Sequence, residues 1–153
     1  MITEADRYYG CVLAQILSGH LKPIEIRRAY SDIQGVYLLD ERLPIYVKIS
    51  KDRFSPWNFN FQNKQQRLYQ LLVDNFGDCI SVFVCGNDGI VALNHDQLRH
   101  ILDDNFEEQE QVSIKRKRRE MYSIKGRDGE LKDKIGRNSL NKIIDQYLIK
   151  KKA

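Results

Sequence analysis

The sequence predicts a mixed α/β domain built on one core, and three observations carry that prediction. Apolar residues recur at three- and four-residue spacing in separated stretches near the start, in the middle and at the end of the chain, as helix faces do. Between them lie short apolar runs, alternating or continuous, bounded by Gly, Pro, Asn and Asp, as strands do. A length of 153 residues with 42% apolar content suffices for a single core, and 30% charged residues supply its surface.

Taken in order, residues 4–18 read as a helix, with Tyr8, Tyr9, Val12, Leu13, Ile16 and Leu17 on one face. Thr3 serves as its N-cap, Glu4 and Asp6 suit its first turn, and Gly19 closes it. Ile24–Arg28 alternates as a half-buried strand. Val36–Leu39 and Ile45–Ile49 form a β-hairpin around Asp40–Pro44. Its register is open at this level. A loop of two or four residues sets Asp32 against Lys51 and Gln34 against Ile49, whereas an odd loop sets Gln34 against Lys48 and Asp32 against Ser50. Ser55–Phe61 alternates aromatic and polar residues, as a short strand or as a loop laying three rings one way. A base-stacking platform and a core wedge are both consistent with Trp57, Phe59 and Phe61.

A second helix is expected from about Gln62 to Asp74, with Leu68, Leu71 and Leu72 toward the core. Cys79–Cys85 is a continuous apolar run short enough for a buried strand, and Gly86-Asn87-Asp88-Gly89 turns it back into Ile90–Leu93. Asn94 caps a helix over residues 95–102, and the acidic run 103–110 reads as a solvated linker. Residues 111–114 and 121–124 alternate around Lys115-Arg116-Lys117-Arg118-Arg119, which predicts a projecting basic β-ribbon, because a buried face cannot hold unpaired charge. Gly126-Arg127-Asp128-Gly129 is a further turn, and Asn138 or Ser139 caps a last helix. The expected organisation is one domain over residues 1–153, with 1–93 as its core and 111–153 as basic ribbon plus final helix.

Charge is segregated along the chain. Residues 1–110 hold 11 Lys and Arg against 16 Asp and Glu, net −5, while residues 111–153 hold 14 against 5, net +9. Such asymmetry orients a molecule on a polyanion, or pairs an acidic surface with a basic one in an oligomer. No run approaches the 18 or so apolar residues of a membrane span, and the first residues lack the basic start and apolar stretch of a signal peptide, so the expectation is a cytoplasmic protein with no membrane partner. Cys11, Cys79 and Cys85 are too few and too scattered for a disulfide framework or a zinc site, and His95 and His100 lack the four-residue spacing of two ligands on one helix. There is no Gly-rich phosphate loop and no Gly-x-Ser-x-Gly elbow.

The order helix, three antiparallel strands, helix, strand, with an acid, Asp32, on the second strand and a lysine on the third, resembles the restriction-endonuclease-like nucleases, the PD-(D/E)XK class. The resemblance covers roughly residues 4–93, and the chain length is similar to that of intron-encoded and phage-borne members. It implies a restriction-endonuclease-like core and metal-dependent phosphodiester hydrolysis. In that class an aspartate and an acid-x-lysine triplet hold a divalent cation and an attacking water. The implied metal ligands are Asp32 and, from the first helix, Glu4, with Mg²⁺ as cofactor. The implied catalytic set is Asp32, Glu4 and Lys48 or Lys51. One branch carries Gln-x-x-x-Tyr on the following helix, a spelling that Gln65 and Tyr69 satisfy as site support. The triplet itself departs from the class: Tyr46 precedes Lys48, and Ile49 precedes Lys51, where the acid should stand.

The expectation is therefore a DNA-binding, endonuclease-like homo-dimer or larger homo-oligomer, with Lys115, Arg116, Lys117, Arg118 and Arg119 as nucleic-acid contacts. The alternatives are a DNA-binding or regulatory module on the same fold without catalysis, and a protein-assembly module.

Overall fold

The computed structural model describes residues 1–29, 33–103 and 108–152. Among them the chain forms four helices and nine strands in two sheets, a mixed α/β fold. Asp32 lies outside the described residues, as does part of the expected acidic linker.

Helix α1 (Glu4–Ser18) starts where expected. Thr3 Oγ1 accepts from the Asp6 backbone N–H, and the Asp6 carboxylate accepts from the Thr3 N–H, so two unsatisfied donors are closed reciprocally. Strands β1 (Ile26–Arg28), β2 (Val36–Leu39) and β3 (Leu43–Ser50) make an antiparallel meander. The hairpin register is the odd one: Leu39 faces Leu43 and Val36 faces Tyr46 across a three-residue loop. Asp40 and Glu41 take positive φ (50° and 57°) in that loop, the left-handed backbone that permits so tight a return.

After β3 come β4 (Trp57–Phe61), helix α2 (Asn63–Phe76) and β5 (Ile80–Cys85), which lies parallel to β3, with Lys48 beside Phe83. Strand β6 (Gly89–Leu93) returns antiparallel, completing a five-stranded sheet in the order β1-β2-β3-β5-β6. Helix α3 (His95–Arg99) is shorter than expected, its end continuing as turn through Leu102. Strands β7 (Glu110–Lys115), β8 (Ser123–Gly126) and β9 (Gly129–Glu130) join β4 in a second sheet, in the order β4-β7-β8-β9, and helix α4 (Ser139–Lys152) follows.

The five-stranded sheet is buried on both faces, which is why β5 reads as a continuous apolar run. Ile45, Val47, Val82 and Val84 meet Val12 and Ile16 of α1 and Leu140 and Ile144 of α4. On the other face Tyr46, Phe83, Val91 and Leu93 meet α2, α3 and the inner side of the second sheet.

One open alternative closes here, and one expectation is corrected. The alternating rings of β4 point inward: Trp57, Phe59 and Phe61 are buried, and Phe59 meets Phe83 edge-on at 4.9 Å, so they are core and no stacking platform. The basic ribbon does not project. Strand β7 turns Glu110, Val112 and Ile114 into the core, and only its other face is open.

Candidate functional site

Lys48 is the residue whose placement is hardest to explain by stability alone. Strand alternation sends it, like Tyr46, to the α2 face of the sheet. Its Nζ donates to Gln65 Oε1 at 3.0 Å and sits 5.1 Å from the centre of the Phe61 ring. Gln65 is itself held, because the same Oε1 accepts from the Gln62 backbone N–H at 2.9 Å as part of the α2 capping box. Burial depresses the ammonium pKa to about 8. A lysine so poised carries a neutral fraction near pH 7 and can accept a proton or orient a water.

Around it opens a cleft of about 460 Å³, lined among others by Tyr9, Gln34, Tyr46, Gln62 and Gln65. Gln34 joins Lys48 there, in keeping with the odd hairpin register. The described residues of this cleft offer amide and phenol oxygens and the two ammonium groups of Lys48 and Lys64, and no carboxylate. Hard divalent cations take carboxylates by preference, so these residues alone do not fit Mg²⁺. Tyr46 stands two residues before Lys48 and is buried, its phenol pushed up to about 12 by burial first and then by Cys79 and Tyr9.

The remaining expected site residues are dispersed. Glu4 Oε2 and Lys51 Nζ pair with each other at 3.1 Å, both more than half exposed, and neither lines the cleft of Lys48. The expected grouping of Glu4 and Lys51 with Lys48 is therefore not assembled. Tyr69 is buried against α3, its hydroxyl donating to the Cys79 carbonyl at 3.3 Å and lying 3.0 Å from His95 Nδ1, so of the Gln-x-x-x-Tyr pair only Gln65 reaches the cleft.

The basic run divides in the same way. Arg116 folds back onto the β5–β6 turn, where its Nε and Nη2 bind both oxygens of Asp88 at 2.8 and 2.6 Å, and Tyr122 donates to the same carboxylate at 2.6 Å. Arg116 and Tyr122 together hold the Asp88 carboxyl below its ordinary value, with Arg137 adding to them. Arg116 is thus a brace between the two sheets. Lys115, Lys117, Arg118 and Arg119 are exposed.

The open face of the second sheet is a surface that sequence reading missed. Across its strands Asn58, Ser113 and Lys125 stand side by side, next to Asn60 with Gln111 and Lys115 with Ser123. All of these but Asn60 border, with Arg127 and the acidic Glu130, a concavity of about 520 Å³. The signal was present in the polar half of each alternating strand, but attention to the rings and the charge run hid it.

Among the described residues, one group of carboxylates is close enough to share a cation: Asp103, Glu110 and Asp128, with ligand oxygens all within 4.8 Å of one another. The alternation Glu110-x-Val112-x-Ile114 could have placed Glu110 on an inward face, but it read as the tail of an acidic linker. Compared with family models, curated proteins and solved structures, the chain matches none. No helix among the described residues is long and apolar enough to cross a membrane.

Proposed function

We propose that this chain is a DNA-binding, endonuclease-like protein that lays the open face of its second sheet on a duplex and presents Lys48 to the phosphodiester backbone. The restriction-endonuclease-like core is part of the proposal, supported by the order α1, antiparallel β1 to β3, α2, then β5 parallel to β3. The observation that carries the reading is the partly buried, depressed Lys48 in its open polar cleft, fixed by Gln65. A charge desolvated this way is costly to the fold and is typical of working sites. On the sheet, amide side chains suit base edges and lysines suit phosphates, and a β-ribbon or sheet fits the major groove. The exposed Lys117, Arg118 and Arg119 at the end of β7 extend the positive surface.

Hydrolysis with Mg²⁺ requires Asp32, which precedes the cleft residues Ile33 and Gln34, as the first carboxylate. Nucleases that cut both strands usually work as symmetric oligomers, so the reading includes a homo-dimer or larger assembly. Tyr46 in the place of the triplet acid favours a second reading, in which the same surface binds DNA and nothing is cut.

Fluorescence anisotropy with a labelled duplex at two salt concentrations tests the binding half. Lys115→Glu with Lys125→Glu should weaken affinity at least about tenfold and flatten the salt dependence. Absence of salt-dependent binding by the wild type overturns both readings. Nicking of supercoiled plasmid with Mg²⁺ or Mn²⁺ separates the two. The hydrolytic reading expects nicking that Lys48→Ala and Asp32→Ala each abolish. Binding without nicking selects the second.

A further inference from the structure

Glu110 is completely buried, and among the described residues no hydrogen-bond donor reaches either of its carboxylate oxygens. An ionised carboxylate in that state is among the most unfavourable groups a fold can hold. The chain has nonetheless built two further carboxylates beside it. Asp128 sits in the two-residue turn between β8 and β9, and that turn is pressed onto the backbone at the end of α3. A Cβ on Gly126 would lie 2.2 Å from the Ile101 carbonyl oxygen, and one on Gly129 would lie 2.4 Å from that of His100. The Asp128 N–H donates to the Ile101 carbonyl at 3.0 Å, and Asp128 Oδ2 accepts from the Asp103 N–H at 2.9 Å. Strand β7 begins at Glu110 and fixes it opposite Phe61. Three separate segments thus deliver three carboxylates to one point. Arg127, the cation on the same turn, is paired with Glu108 at 2.7 Å.

We infer that Asp103, Glu110 and Asp128 bind one hard divalent cation, Ca²⁺ or Mg²⁺, which ties the start of β7 and the β8–β9 turn to the end of α3. The donor set is all oxygen and all anionic, the chemistry that selects such ions over zinc or copper. The spacing agrees. Oxygens about 2.4 Å from a shared Ca²⁺ are at most about 4.8 Å apart, which is the limit within which these three lie. Without an ion, a proton shared with the Asp103 carboxyl is the side-chain partner on offer to Glu110, and the ion takes that proton's place. The site is remote in the chain from Asp32 and shares no residue with the Lys48 cleft, so it stands whether or not that cleft cuts DNA.

The test uses the full chain freed of metal with chelator. CaCl2, MgCl2 and MnCl2 are each titrated by calorimetry and by thermal unfolding, up to roughly 10 mM, well past the weakest affinities of natural calcium sites. The wild type should take up about one equivalent of at least one ion and gain about 5 °C in Tm. Glu110→Gln, which keeps the shape without the charge, should lose that uptake and unfold in chelator no earlier than the wild type. Asp128→Asn, at an exposed turn, should lose uptake too, and it serves if the buried variant fails to fold. Asp32→Ala should keep this equivalent and its gain in Tm, whatever it does to Mg²⁺ at the Lys48 cleft. The inference is overturned if no ion binds the wild type, if Glu110→Gln or Asp128→Asn binds with undiminished affinity, or if Asp32→Ala abolishes binding.

Discussion

Replacing Lys48 with methionine is expected to stabilise the protein while destroying its proposed activity. The side chain is partly buried, and its pKa falls from 10.5 to about 8. Because the folded value lies below the unfolded one, the native state binds fewer protons than the unfolded state between about pH 8 and 10.5. Stability therefore rises with pH across that window, and the cost of the buried charge is fully present below about pH 8. At about 1.4 kcal/mol per pKa unit the cost is about 3.5 kcal/mol. The contacts with Gln65 and Phe61 offset part of it, and methionine fills most of the same volume. A gain of about 1–3 kcal/mol at pH 7 follows. The single tryptophan, Trp57, is buried and reports unfolding, so urea titrations followed by its fluorescence at pH 7, 8, 9 and 9.5 give both profiles. The difference between variant and wild type should shrink as pH rises. Parallel profiles, or a variant less stable at pH 7, would refute the claim that Lys48 is held there against the interest of the fold.

Two further outcomes are expected. Phe59→Ala should cost about 3–4 kcal/mol in the same urea titration, because the ring is 2% exposed and wedged against Phe83; a loss below 1 kcal/mol accompanied by weaker DNA binding would restore the stacking role. Glu4→Ala and Lys51→Ala, singly and together, should shift stability by no more than about 0.5 kcal/mol and leave nicking unchanged, since their pair is exposed on both sides; a double-mutant cycle measures the coupling, and lost nicking in Glu4→Ala would return that carboxylate to the mechanism.

Most of the secondary structure was legible because it is set by local pattern. The Thr3 and Asn94 caps, the Gly86–Gly89 turn and the continuous run of β5 are each statements about neighbours in the chain, and each appears where expected. The Lys48–Gln65 pairing was half legible. Both residues stand out in the sequence, but the four-residue helical spacing joins Gln65 to Tyr69 and does not say which partner lies across the sheet.

What the sequence by itself determined is the inventory: which segments are helix or strand, where charge accumulates, and that Tyr46 stands two residues before the strand lysine Lys48. Tertiary structure alone decided which side chains share a pocket. One residue of loop length set the hairpin register, and Gln34 lines the same cleft as Lys48. The packing of the second sheet onto the first took Arg116 out of the basic surface and gave it to Asp88. Docking of the β8–β9 turn on α3 gathered Asp103, Glu110 and Asp128 from positions up to 25 residues apart. Side-chain period and capping act over a few residues, whereas ion pairing and shared ligation depend on distance in space, which no local pattern encodes.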